Sequence, residues 1–246
     1  MSSQLLAWLV VVLTAAVVVA MFVVMWRERT STRSAFVAVI AGAVLAAWAA
    51  LTVVLALRGF YLPPDTRSPP PVGIQLALAL AGLVLFLATS PSLRSLLTNQ
   101  KNLIRLNVWR LVGAVFLVLM LTGQMPALWA LPSGIGDVIV GMAAFSVANR
   151  LDRPGGRRLA IIFNLFGLAD LVVAVGLGIM TNPGPAQVFH TTPTSELATR
   201  FPLALVPTFL VPLAFVLHFV SLWQLFGLTW VREVGVHERK QAGRSL

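Results

Sequence analysis

The run SGIGDVIVGMAAFSVAN, residues 133–149, is short for a membrane-spanning helix and carries Asp137 close to its start. Whether it crosses a membrane decides the fold, because it sets which side every loop falls on. A helix needs about 20 apolar residues to cross the hydrocarbon layer. Six other runs approach or reach that length: residues 5–26, 35–57, 72–90, 107–125, 159–180 and 203–228. Basic residues in alternate loops arbitrate, since Lys and Arg concentrate on the cytoplasmic side.

If residues 133–149 span, one side receives Arg27, Arg29, Arg33, Arg94, Lys101, Arg105, Arg110, Arg150, Arg153, Arg157, Arg158, Arg232, Arg239, Lys240 and Arg244. The other side receives only Arg58, Arg67 and Arg200. If the run does not span, basic clusters fall on opposite sides. The charge pattern therefore counts the weakest run as a helix, and the preceding PALWALPSG can lengthen it. The fold class is an all-α integral membrane protein of seven transmembrane helices, with the N-terminus outside and the C-terminus cytoplasmic.

Composition agrees. Of 246 residues, 58% are hydrophobic and 11% charged, against about 25% charged in soluble domains. The mean hydropathy is +0.89. The net charge of +10 sits in short clusters between apolar runs, a topology signal and not a nucleic-acid surface. The chain has no cysteine, which removes disulfides, thiolate metal sites and cysteine nucleophiles. Arg greatly outnumbers Lys, and Ala, Val and Leu dominate, which goes with a GC-rich bacterial genome and a bacterial cytoplasmic membrane. The first run has no basic residue before it and WRERTSTR after it. That is the reverse of a signal peptide, so it reads as a retained anchor.

The segments predicted to lie outside, RGFYLPPDTRSPPPVG and TNPGPAQVFHTTPTSELATRFP, are rich in Pro and read as irregular connections or a lid. On the inner side, residues 91–106 place Leu93, Leu96, Leu97, Leu103 and Ile104 among polar and basic neighbours. This predicts an interfacial segment attracting anionic lipid. In span two, Gly42, Ala46 and Ala50 make a small-residue seam for helix packing.

Spans four to seven hold nearly all the intramembrane polarity, in Arg110, Asp137, Asn164, Asp170 and His218, and the first three spans carry no ionisable residue in their apolar cores. An Asp at mid-span costs about 2.5–3.5 kcal/mol on insertion scales, so such groups face protein or water and have partners. Counting rise per residue from the predicted outer ends gives depths of about 7 Å for Asp137, 16 Å for Asp170, 22 Å for His218 and Arg110, and 25 Å for Asn164. The expectation is a stepped polar column. On span six, Asn164, Gly167, Asp170, Ala174 and Gly178 share an arc of about 120°. In span seven, Pro207 and Pro212 free the carbonyls of Leu203 and Thr208, one to two turns from His218. Ser221 lies close by on the same helix. Ser133 is placed to cap the fifth helix, and Arg110 to reach an interface from a helix end.

These residues point to a small transporter moving a proton, ion or small solute through helices four to seven. Asp170 is the expected binding carboxylate, His218 and Asp137 the relay or gate, Arg110 the counter-charge, and Asn164 a further polar contact. A dry Asp170 paired with an Arg would weaken that reading. The alternatives are a membrane anchor or partner subunit holding a quinone or haem, and an intramembrane enzyme acting on lipid. No hydrolase, metalloprotease, P-loop or dinucleotide motif occurs at a plausible place, so no enzyme and no cofactor is expected. No Lys lies within a span, which leaves a retinal Schiff base without an attachment point. Partners are the bilayer, anionic lipid at the basic clusters and a small ion or solute, with no nucleic acid.

Overall fold

A computed structural model describes the backbone of residues 3–62 and 71–242, and the side chains of residues 8–62 and 71–227. Residues 63–70, which are half of RGFYLPPDTRSPPPVG and include Arg67, and Arg244 lie outside the described residues, as do the side chains of Arg232, His237, Arg239 and Lys240. The described residues are helices and connections without a strand. Seven helices are long and apolar enough to cross a membrane.

Helices α1 (Ser3–Arg27) and α2 (Thr32–Leu57) form a hairpin. Ser31 and Ser34 close a reciprocal capping box at the start of α2: the Ser34 amide donates to Ser31 Oγ at 3.2 Å and the Ser31 amide to Ser34 Oγ at 2.9 Å. Helix α3 (Pro71–Thr89) follows, then the short α4 (Pro91–Ser95) and α5 (Gln100–Arg105). Without a break, α5 passes into a 3₁₀ segment, Leu106–Gly113, and then into α6 (Ala114–Leu121). These three make one rod of 22 residues, the fourth spanning-length helix. Helix α7 (Ala127–Arg150), α8 (Gly156–Thr181) and α9 (Val211–Ala242) complete the bundle. A single 3₁₀ turn, Ser195–Thr199, and a π-helical turn, Val206–Leu210, separate α8 from α9.

Two boundaries differ from the predicted ones, and both matter. The fourth helix covers 100–121 and not 107–125, because the chain reverses at Thr122–Gly123 with Gly123 at φ +70°. The fifth begins at Ala127 and not Ser133. The helix takes in the preceding ALWALP, as the short run 133–149 allowed, with Pro132 inside α7. The proline removes one hydrogen bond, and the helix continues through it.

The core is built by the rod, α7, α8 and α9. Glycines let the rod and α7 approach closely: a Cβ on Gly141 would sit 2.8 Å from the backbone nitrogen of Leu111, and one on Gly134 would sit 2.9 Å from the Gly113 carbonyl. The α1–α2 hairpin leans on this core through α1, and α3 lies along α9. The predicted seam of span two is only partly used. Gly42 is buried against Phe22, whereas Ala46 and Ala50 are exposed, because α2 turns Ser34, Ala38, Ala41 and Leu45 inward. Leu93, Leu96, Leu97, Leu103 and Ile104 are all buried within the protein.

One end of the bundle is basic. There, Lys101 pairs with Asp152, Arg105 donates to Asn149 at 2.8 Å, and Asn102 donates to Glu28 at 3.2 Å, which ties three connections together. The opposite end, called here the far end, carries Arg58 and Arg200.

Candidate functional site

Arg110 organises the centre of the bundle. It lies in the 3₁₀ segment and is fully buried, not reaching outward from a helix end. Its Nε donates to Asp137 Oδ1 at 2.6 Å, and its Nη2 donates to Asp170 Oδ2. Its Nη1 donates to the Gly167 carbonyl at 3.3 Å and to His218 Nε2 at 3.2 Å. The guanidinium thus joins α7, α8 and α9 at one point. Glycines make room for it: a Cβ on Gly136 would collide with the Asp170 carboxylate, and one on Gly167 with the His218 ring.

Hydrogen-bond direction fixes the next links. Arg has donors and no acceptor. His218 Nε2 must therefore accept, leaving the proton on Nδ1, which donates to Asn164 Oδ1 at 2.9 Å. Asn164 Nδ2 donates to the Ala160 carbonyl and to Ser221 Oγ, both at 2.8 Å. Ser221 Oγ donates to Gln100 Oε1 at 2.8 Å, and Gln100 Nε2 returns to the Ser221 carbonyl at 2.7 Å. The side-chain donors run in one direction, from Arg110 through His218, Asn164 and Ser221 to Gln100 at the basic end, where the Gln100 amide closes back on the Ser221 backbone. Neither Arg nor an Asn amide gives up its proton at ordinary pH, so the chain is a clamp and not a proton wire.

The predicted stepped column becomes a single level. Measured from Ala127, Asp137 lies about 15 Å along its helix, and Asp170 lies about 16 Å from Thr181. The predicted 7 Å for Asp137 came from starting α7 at Ser133. His218, about 18 Å from Val206, and the long Arg110 side chain reach the same level. Asn164 lies deeper and begins the chain to Gln100.

The two carboxylates are not equivalent. The Asp170 side chain is 6% exposed, and that of Asp137 is 13% exposed. Asp137 borders a cavity of about 90 Å³, and Asp170 does not. About 10–15 Å³ in this measure holds one water, so the cavity takes several waters or one compact molecule. It runs from Asp137 toward the far end. Trp129, Ser133 and Asp137, spaced four apart on α7, form one wall, and Leu171, Ala174 and Gly178 of α8 another. The 3₁₀ turn Ser195–Thr199 contributes Ser195, Ala198 and Thr199, so the long far-end loop packs over the cavity.

Span seven is interrupted where its prolines predict. Thr208, whose carbonyl Pro212 leaves free, accepts from Gln75 Nε2 at 3.3 Å, while the Leu203 carbonyl accepts from the Val206 amide at 3.0 Å. Val206, Pro207 and Val211 of this π-helical region reach the cavity. Gln75 also donates to Thr52 Oγ1 at 3.0 Å and accepts from the Tyr61 hydroxyl, which links α2, α3 and the π turn. Tyr61 is buried beyond the end of α2, and burial pushes its phenol above the ordinary value of 10.0.

All five residues singled out by sequence, Arg110, Asp137, Asn164, Asp170 and His218, meet in this network. Gln100 and Gln75 escaped notice. Gln100 lies in the segment read as interfacial, yet Gln100, Leu103, Ile104, Asn107 and Arg110 recur at three- and four-residue spacing, which marks one helical stripe. Gln75 is the lone polar side chain of residues 72–88 in span three. No group of three or more metal-ligating side chains occurs among the described residues. Both ring nitrogens of His218 are engaged, so it offers no axial ligand to a haem.

No curated protein and no solved structure matches the chain. A family does match, over residues 69–226, which covers the cavity, the clamp and the last five spanning-length helices. The chain belongs to the family described as "Domain of unknown function (DUF8737)".

Proposed function

We propose that this is a small seven-span transporter of the bacterial cytoplasmic membrane that translocates protons, with Asp137 as the exchanging carboxyl group. The basic end faces the cytoplasm and the far end faces outside, as the positive-inside rule requires. The basic connections then meet anionic lipid of the inner leaflet.

One observation carries the proposal: a single guanidinium lies between two carboxylates. Asp137 and Asp170 form their ion pairs, among the described residues, with Arg110 alone. With all three groups ionised, the centre holds one uncompensated negative charge amid apolar helices. A lone buried charge of this kind costs several kcal/mol, so it takes up a proton or a cation. Asp137 is the group that can, because it alone of the pair borders the cavity. Asp170, bound to Arg110 and shut away, holds the clamp in place. The clamp closes the bundle toward the basic end, so release there requires it to move. The π turn and Pro212 supply the interrupted helix about which α9 can do so.

The test is proton uptake into liposomes carrying the purified protein and an entrapped pH-sensitive dye, driven by an imposed potential. Uptake should exceed that of empty liposomes and vanish in Asp137→Asn. Uptake in that variant equal to the wild type would sink the proposal.

A further inference from the structure

The cavity beside Asp137 has a chemistry of its own. Its wall contains three side-chain oxygens without a hydrogen-bond partner among the described residues: Ser133 Oγ, buried, Asp137 Oδ2, and, at the far end of α8, Asn182 Oδ1. The other wall hydroxyls are engaged, Ser195 with the Gly178 carbonyl and Thr199 with that of Glu196. Arg110 contributes nothing to the wall, so the charge the cavity meets is the carboxylate. The rest is mainly apolar. Trp129 and Phe116 stand with ring centroids 5.0 Å apart. The indole N–H of Trp129 is committed to the Ala174 carbonyl at 2.8 Å, so Trp129 offers the cavity its ring and not a donor.

A bare metal cation does not suit these walls. Hard cations take about six or more oxygens, and only three are free here, one of them at the other end of the cavity. A neutral apolar molecule would leave Ser133 and Asp137 unpaired, at a cost. A carboxylate and a hydroxyl at one end, with aromatic and aliphatic walls around them, match an ammonium head on a compact apolar body.

We infer that the cavity is the binding site for a small organic amine, whose ammonium group sits on Asp137 Oδ2 and Ser133 Oγ and whose apolar body packs against Trp129, Phe116 and Leu171. The inference rests on the reading above, in which Asp137 is the group that takes up a cation. It adds that proton and ammonium are alternative occupants of one carboxylate. The amine enters from the far end, beneath the 195–199 turn.

The test is binding of benzylamine to the full chain in detergent, followed by tryptophan fluorescence and thermal shift, with benzyl alcohol as the neutral isostere. Benzylamine should bind saturably, and benzyl alcohol should bind about tenfold more weakly or worse, because its hydroxyl still donates to the carboxylate but brings no positive charge to it. Asp137→Asn should weaken benzylamine by a similar factor, and Ser133→Ala by less. Ala174→Leu, which fills the cavity without touching the ion pairs, should abolish binding while the protein stays folded. Equal affinity for the alcohol, or benzylamine binding unchanged in Ala174→Leu, would overturn the inference. Binding and transport separate cleanly. Proton uptake without benzylamine binding removes the amine and leaves the transporter, whereas benzylamine binding without proton uptake does the reverse.

Discussion

The first three spanning-length helices and the last four are built from similar residues and serve different ends. Within an 18-residue apolar stretch of each helix, 28%, 28% and 11% of residues are buried in the first three, against 56%, 44%, 33% and 72% in the last four. Mean hydropathies run the other way, from 2.9, 2.4 and 2.3 down to 1.8, 1.5, 2.2 and 1.9. The most hydrophobic helices are therefore the least buried. In water that would be perverse. For a bundle whose surroundings are apolar it is the expected order: the outer helices need only be apolar, and the inner ones can carry polar groups because other helices supply partners. Leu78 and Leu85 of α3 point away from the protein, whereas Arg110, Asn164 and His218 are wholly enclosed.

The sharpest way to break this comparison is Arg110→Leu. It leaves two carboxylates and His218 without their shared donor. Removing one partner of a buried ion pair costs about 3–5 kcal/mol, so this variant should fail to yield folded protein in detergent size-exclusion runs. Recovery of a monodisperse, heat-stable Arg110→Leu would show that the clamp does not hold the bundle.

Next come paired glycine substitutions. Gly136→Ala places a methyl group on the Asp170 carboxylate and should destabilise by about 1–3 kcal/mol. Gly82→Ala, in α3, meets open space and should be neutral or stabilising by up to about 1 kcal/mol, through helix propensity. Thermal unfolding in the same detergent compares the two, and equal shifts would erase the difference between the halves.

Ser221→Ala tests the lower part of the clamp. It removes the donor to Gln100 and the acceptor of Asn164, for an expected loss of about 1–3 kcal/mol. Amide exchange should rise at the α5–α9 contact before it rises in α1. A uniform rise would mean that the chain is not a local fastener.

The smallest effect concerns the link between the halves. Tyr61 is the only tyrosine in the chain, so tyrosinate absorbance reports it alone. Burial raises its pKa, which means that the folded state favours the protonated phenol. Its contribution to stability is whole below pH 10 and is lost as pH climbs through the raised folded value. The absorbance midpoint should lie above 10 in folded protein and return to about 10 on denaturation. An unshifted midpoint would mean that Tyr61 is not enclosed as described.

Much of this was legible in residue order. Hydropathy and the alternation of basic loops specify seven helices and separate a half without intramembrane charge from one that carries it. The spacing of Asn164, Gly167 and Asp170 shows which face of α8 turns inward. What escaped did so for identifiable reasons. Depth counted from Ser133 leaves out the preceding ALWALP, which hydropathy allowed to join the helix but did not require, so Asp137 is placed too shallow. Arg110 stands near the end of a predicted span, where long basic side chains ordinarily reach outward, and only the extension of that helix back to Gln100 makes it central.

By itself, the sequence determined how many helices form and which of them carry charge, because hydropathy and helix length are properties of a segment and add along the chain. Tertiary structure alone decided which charges meet. A shift of one residue turns a helix by about 100° and slides it by about 1.5 Å, enough to separate any of these partners. Only the packed arrangement of four helices puts Asp137, Asp170 and His218 on one guanidinium, and gives Asp137 and not Asp170 the cavity.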